Sequence, residues 1–218
     1  MIEKEPFDLD RVFEILEEVV ELYPKAGLFE LFAEGHRSVF ELLIACMISI
    51  RTKDEVMLPV SRKLFGNART ASEMVRLGRE GIERLIYSSS FHERKAGQIY
   101  KIAERLVSEG REDLPCELDY LLSLDGVGPK CANLVLGIGC GKPFIGVDIH
   151  VHRITNRWGY VETKTPEKTL AALEEKLPKR YWVDINRLLV PFGKNICTGI
   201  NPKCLQCRLK SMCKQIDT

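Results

Sequence analysis

The sequence predicts an all-α fold. Three observations support this. Apolar residues recur at i, i+3 and i+4 along most of the 218 residues. Ser/Thr-x-x-Glu capping signals open three of those segments. No stretch, apart from 144–147, alternates like a strand. The length suits one or two compact domains and is ample for a hydrophobic core.

The helices follow in order. Leu9, Val12, Phe13, Leu16, Val19, Val20 and Tyr23 define the first, with Asp8 as its cap and Pro24 as its stop. Ser38-x-x-Glu41 opens an apolar helix to residue 50, Thr52-x-x-Glu55 one to about 65, and Thr70-x-x-Glu73 a third. Ala96, Ile99, Ala103, Leu106 and Val107 mark a helix over 94–108. Short helices fit 117–124 and 129–139, and longer ones 148–158, 165–177 and 180–194.

Composition excludes several classes. With 45% hydrophobic and 29% charged residues the chain is neither disordered nor a disulfide-stapled miniprotein. The start MIEKEPFDLD has no apolar signal core, and the longest uncharged apolar stretch, 42–50, is too short to span a bilayer. The expected setting is cytoplasmic, close to the nucleoid in a prokaryote, with no membrane partner. Thirty-two Lys+Arg against 31 Asp+Glu leave a net charge of +1, which argues against nucleic acid only as a sum. Residues 1–35 hold ten acids, Glu3 among them, against Lys4, Arg11 and Lys25; residues 176–214 hold nine bases against Asp184 alone. A basic C-terminal stretch of this kind fits either a phosphate-binding face or a merely solvated surface.

Four of the eight cysteines, Cys46, Cys116, Cys131 and Cys140, lie among apolar neighbours and read as ordinary buried thiols of a reducing compartment. The others, Cys197, Cys204, Cys207 and Cys213, have the spacing C-x6-C-x2-C-x5-C. Four thiolates can hold one tetrahedral zinc or one cubane iron–sulfur cluster. Only one short knuckle is present, so the spacing favours [4Fe–4S] over zinc, with a structural rather than redox-catalytic service.

Leu124-Asp-Gly126-Val127-Gly128-Pro-Lys130 joins two predicted helices. The glycines permit positive φ and close backbone approach, and Pro129 suits the first helical position. Outward amides at such a turn form a phosphate site, although a plain tight turn has the same pattern. Lys130 in the first helical turn meets the positive end of the helix dipole, which favours a neutral, nucleophilic amine. A surface lysine is the bland alternative. Asp148 stands before the next helix either as its N-cap or as a carboxylate supporting a developing cation.

Leu124-x-Gly126-x-Gly128-x-Lys130, Val147-Asp148-x-His150 and the 6-2-5 cysteine spacing, in this order, resemble the endonuclease III family of helix-hairpin-helix DNA glycosylases. The resemblance runs from about Phe40 to Cys213. It implies a two-domain fold: a six-helix barrel domain over 32–141 that includes the hairpin, and a discontinuous iron–sulfur cluster domain from 1–31 and 142–218. It implies that Gly126, Val127 and Gly128 grip DNA phosphates, that Lys130 and Asp148 are catalytic, and that the four C-terminal cysteines ligate a [4Fe–4S] cluster. Basic residues near the cysteine loop, Lys194 and Lys203, would also meet DNA. The damaged base would be flipped into a cleft between the domains.

The chain departs from the family pattern in four places. Arg51 stands for the glutamine of Ser-x-Gln-Thr-x-Asp, and Ser90-Phe91-His92 for Gly-Leu/Phe-Tyr, so Arg51 and Phe91 become candidates for filling and wedging the duplex. Ile149 replaces a threonine and Arg208 a proline. These changes bear on base preference more than on chemistry.

The expected function is a base-excision-repair glycosylase with apurinic/apyrimidinic lyase activity. It would act as a monomer on oxidised pyrimidines in double-stranded DNA, where damaged bases or abasic sites mark the target. The alternatives are a monofunctional mismatch glycosylase for thymine, uracil or adenine, and a cluster-bearing DNA-binding module without activity.

Overall fold

The computed structural model describes residues 5–216; residues 1–4 and 217–218, including Glu3 and Lys4 of the acidic stretch, lie outside the described residues. The described residues form helices and loops with no strand. The chain divides into two compact units, one spanning Gly27–Phe144 and one made of the segments that end at Ala26 and begin at Ile145.

The Gly27–Phe144 unit contains α2 (Gly27–Ala33), α3 (Val39–Ser49), α4 (Asp54–Phe65), α5 (Ala71–Ile86), α6 (His92–Ser108), α7 (Leu118–Leu122) and α8 (Pro129–Cys140). Helix α3 is its axis. Every residue from Val39 to Ile48 is buried, as expected of a helix that is apolar all round. Its one buried acid, Glu41, takes hydrogen bonds from Arg69 (2.8 Å) and pairs with His36 (2.8 Å). Burial raises its pKa, but Arg69 and His36 more than offset this and hold the carboxyl below the usual range. Helices α4, α6 and α8 pack around α3, and α5 lies along α6.

Side-chain caps explain some of the helix starts. Ser38 accepts from the Glu41 amide, and Thr70 with Glu73 makes the full reciprocal capping box. Helix α5 kinks at Gly78, where φ is 72°. Two sequence expectations fail here. Thr52 does not cap α4, which starts after Lys53; its hydroxyl is taken by Ser90 and Lys95 from α6 and the turn before it. Helix α2 was not anticipated, since its seven residues carry no capping signal.

The second unit packs α1 (Leu9–Val20), α9 (Ile149–Trp158), α10 (Pro166–Lys176) and α11 (Asp184–Asn195), with 3-10 turns at Lys179–Tyr181 and Cys204–Gln206. Val12, Phe13 and Leu16 of α1 enter one core with Ile154, Trp158, Leu188, Leu189 and Phe192. Asp8 caps α1 as expected. The 144–147 segment is not a strand; Ile145 and Val147 are simply buried in this core.

Two further expectations need correction. Cys116 and Cys140 are not free thiols but a disulfide that ties the chain before α7 to the last residue of α8. The basic C-terminal stretch is also partly neutralised within its own unit. Arg180 pairs with Asp10 (2.7 Å), Arg187 with Glu17, and Arg208 with Glu18 (2.6 Å).

Candidate active site and nucleic-acid interface

The turn between α7 and α8 gives its two glycines different duties. Gly126 has φ +82°, and a Cβ there would meet the Gln98 amide at 2.4 Å. Only glycine fits without strain. Gly128 is extended (φ −104°), and a Cβ there would touch nothing in the chain. Positive φ is therefore needed at Gly126 alone, while Gly128 leaves open space in front of the α8 N-terminus. Val127 is buried in the core, so its backbone rather than its side chain is what the turn can offer a ligand.

Lys130 is the second residue of α8 and is half-buried. Its Nζ lies 4.0 Å from Cys46 Sγ on α3. Behind it, Cys46 and Cys131 are both buried, with sulfurs 2.6 Å apart. The Cys46 contact and burial push the Cys131 thiol far up, so it stays protonated. Lys130 thus stands on a floor of two tightly packed, buried cysteines.

Asp148 is the N-cap of α9. Its Oδ1 accepts from the amides of His150 and Val151, both at 2.9 Å. The capping duty is met.

Cys197, Cys204, Cys207 and Cys213 line one cavity, together with Trp158, Phe192 and Lys203. Burial first, and then the other three cysteines, push the Cys207 thiol up to about 11. Among the described residues, no three His, Cys, Asp or Glu side chains are gathered closely enough for a single metal ion. Four thiols lining one cavity are a donor set that a zinc ion or an iron–sulfur cluster takes.

Residues 44–179 match the HhH-GPD superfamily of base excision DNA repair proteins. Endonuclease III of Thermotoga maritima is 40% identical over 203 residues, covering 92% of this chain and 91% of that protein. The chain belongs to the endonuclease III family. The chloroplastic endonuclease III homolog 1 of Arabidopsis thaliana is 42% identical over 183 residues, and the chain spans only 48% of its length. A solved structure of a trapped endonuclease III–DNA covalent intermediate superposes with a TM-score of 0.80 at 29% identity, covering 94% of this chain and 95% of that one.

The remaining endonuclease III candidates fall in two places. Arg51 follows α3, and Phe91 is the residue before α6. Both are exposed, both have positive φ (54° and 59°), and the guanidinium carbon of Arg51 lies 5.7 Å from the Phe91 ring centre. Lys194 is exposed in the last turn of α11, and Lys203 is exposed beside Cys204, its amide donating to Ile196 O at 3.0 Å.

Sequence reasoning missed three basic residues. Arg153 and Arg157 share one side of α9 and hold the cysteine loop. Arg153 donates to Cys197 O (2.9 Å), and Arg157 to Thr198 O (2.6 Å) and Gly199 O (3.0 Å). Their i, i+4 spacing was visible, but nothing in it named the partner. Lys95, buried under the Arg51 loop, looked like any lysine of a polar helix face.

Proposed function

We propose that this chain is a base-excision-repair DNA glycosylase with associated apurinic/apyrimidinic lyase activity, acting on oxidised pyrimidines in double-stranded DNA. The observation that carries the reading is Lys130, an amine in the first turn of the helix that follows the glycine turn, in a chain of the endonuclease III family.

Lys130 supplies the nucleophile. Its neutral Nζ attacks C1′ of the flipped nucleotide; the glycosidic C–N bond breaks and the base leaves with that electron pair, to be protonated. Loss of a proton from the nitrogen and opening of the sugar ring give a Schiff base. The C2′ proton is then acidic; its removal expels the 3′ phosphate as the C3′–O bond breaks. Water finally hydrolyses the imine and returns the free lysine. Asp148 is assigned the family's carboxylate role of stabilising the developing sugar cation.

Gly126, Val127 and Gly128 would meet backbone phosphate through main-chain amides. Lys194 and Lys203 would add cationic contacts. Cys197, Cys204, Cys207 and Cys213 would hold a [4Fe–4S] cluster, whose four ligand positions are then filled and whose service is to shape the loop that carries Lys203. Among the described residues no helix is long and apolar enough to cross a membrane.

The test is product analysis on duplexes carrying one oxidised pyrimidine or one abasic site. The expected product is a cut strand with a 3′ unsaturated aldehyde and a 5′ phosphate. Release of a base from an uncut strand would instead assign a monofunctional glycosylase.

A further inference from the structure

Arg51 and Phe91 belong to different loops, yet both hold left-handed backbone conformations that side-chain-bearing residues rarely adopt. Such conformations persist only where their surroundings over-determine them. Here the surroundings converge on Lys95. Its residue is 4% exposed, and its Nζ donates to Ile48 O (2.7 Å), Ile50 O (2.8 Å) and Thr52 Oγ1 (3.1 Å). Three ammonium protons meet three acceptors that bracket Arg51 on both sides.

Ser90 ties the second loop to the first. Its Oγ donates to Arg51 O (2.8 Å), and its amide donates to Thr52 Oγ1 (3.1 Å). Thr52 is therefore shared between Lys95 and Ser90. The end of α3 and the turn before α6 form one hydrogen-bonded platform, on which Arg51 and Phe91 are exposed side by side as a cation–π pair. A glycine at position 90 could not make the hydroxyl bond.

We propose that Lys95 and Ser90 are positioning residues that present Arg51 and Phe91 as a single preassembled wedge for the gap left when a nucleotide leaves the duplex stack. The inference rests on reading Arg51 and Phe91 as DNA-facing. Preassembly removes the cost of ordering two loops on insertion. Loss of either positioning residue should then weaken insertion while the Lys130 amine remains intact.

The test uses a duplex with a non-cleavable tetrahydrofuran abasic analogue and 2-aminopurine placed opposite it, whose fluorescence rises when a wedge unstacks it. The variants are Ser90→Ala, Arg51→Ala and the pair combined, with Lys95→Met as a further probe if it folds. Ser90→Ala keeps the amide bond to Thr52 and loses only the hydroxyl bond to Arg51 O, which should weaken binding roughly fivefold and lower the fluorescence rise. The loss caused by Ser90→Ala should be smaller in the Arg51→Ala background than in the wild type, because one of the two side chains that Ser90 presents is already gone. Additive losses, or a full fluorescence rise with Ser90→Ala, would overturn the positioning role while leaving the wedge. If Arg51→Ala itself changes neither affinity nor fluorescence, the wedge reading and this inference fall together. Abasic-strand cleavage by the same preparations reports separately on the lyase reading.

Discussion

Arg208 Nη1 lies 2.6 Å from Glu18 Oε2, joining the cysteine segment to α1 across 190 residues of sequence. With the Arg187–Glu17 and Arg180–Asp10 pairs, it shows how the acidic and basic ends of the chain offset each other inside one unit. The cancellation in net charge is partly a set of real contacts. Both Arg208 and Glu18 are more than half exposed, so the pair adds little stability.

On the proposed reading, bases paired within the unit differ from those that would meet DNA. Lys203→Ala should reduce the slope of log affinity against log salt by about one. Arg208→Ala should leave that slope nearly unchanged. Salt titrations of duplex binding check both; equal effects would contradict the division.

Gly126 and Gly128 should respond oppositely to alanine. Gly126→Ala forces a Cβ into a left-handed residue and against Gln98, and should cost about 2 kcal/mol of stability. Gly128→Ala meets open space within the chain, so the melting temperature should barely move while duplex affinity falls several-fold. Urea unfolding and binding titrations on the two variants separate the cases.

The Cys116–Cys140 disulfide closes a loop of sequence separation 24. Loop-closure entropy predicts that Cys116→Ser destabilises the protein by about 3 kcal/mol. Alkylation of unreduced, denatured protein should leave Cys116 and Cys140 unmodified. Full labelling of both would remove this prediction.

Burial lowers Lys95 from 10.5 to about 8. Between those values the unfolded chain binds the extra proton, so stability should rise with pH from about 8 to 10.5. Below 8 this group contributes no slope. The rise should approach about 3 kcal/mol and be missing from Lys95→Met. Urea midpoints of the two proteins across pH 7 to 10.5 check the sign; parallel curves would contradict it.

What could be read from the sequence was local. The glycine turn with Lys130, the N-cap at Ser38, the capping box at Thr70 and the cysteine spacing each occupy a few consecutive residues. What escaped depends on distant partners. Thr52-x-x-Glu55 matches a capping box as well as Thr70-x-x-Glu73 does, but Lys95 and Ser90 claim the Thr52 hydroxyl. Cys116 and Cys140 pair only because α8 brings its last residue back to the chain before α7. Arg157 reaches carbonyls more than 40 residues away. Asp148 shows a legible case: Asp before a helix reads as its cap, and its Oδ1 takes the His150 and Val151 amides.

The most direct test of the account is borohydride reduction during turnover on an abasic duplex. If Lys130 forms the Schiff base, wild-type protein is trapped as a covalent DNA adduct and Lys130→Ala is not. No adduct with the wild type, or undiminished trapping with Lys130→Ala, would contradict the assignment.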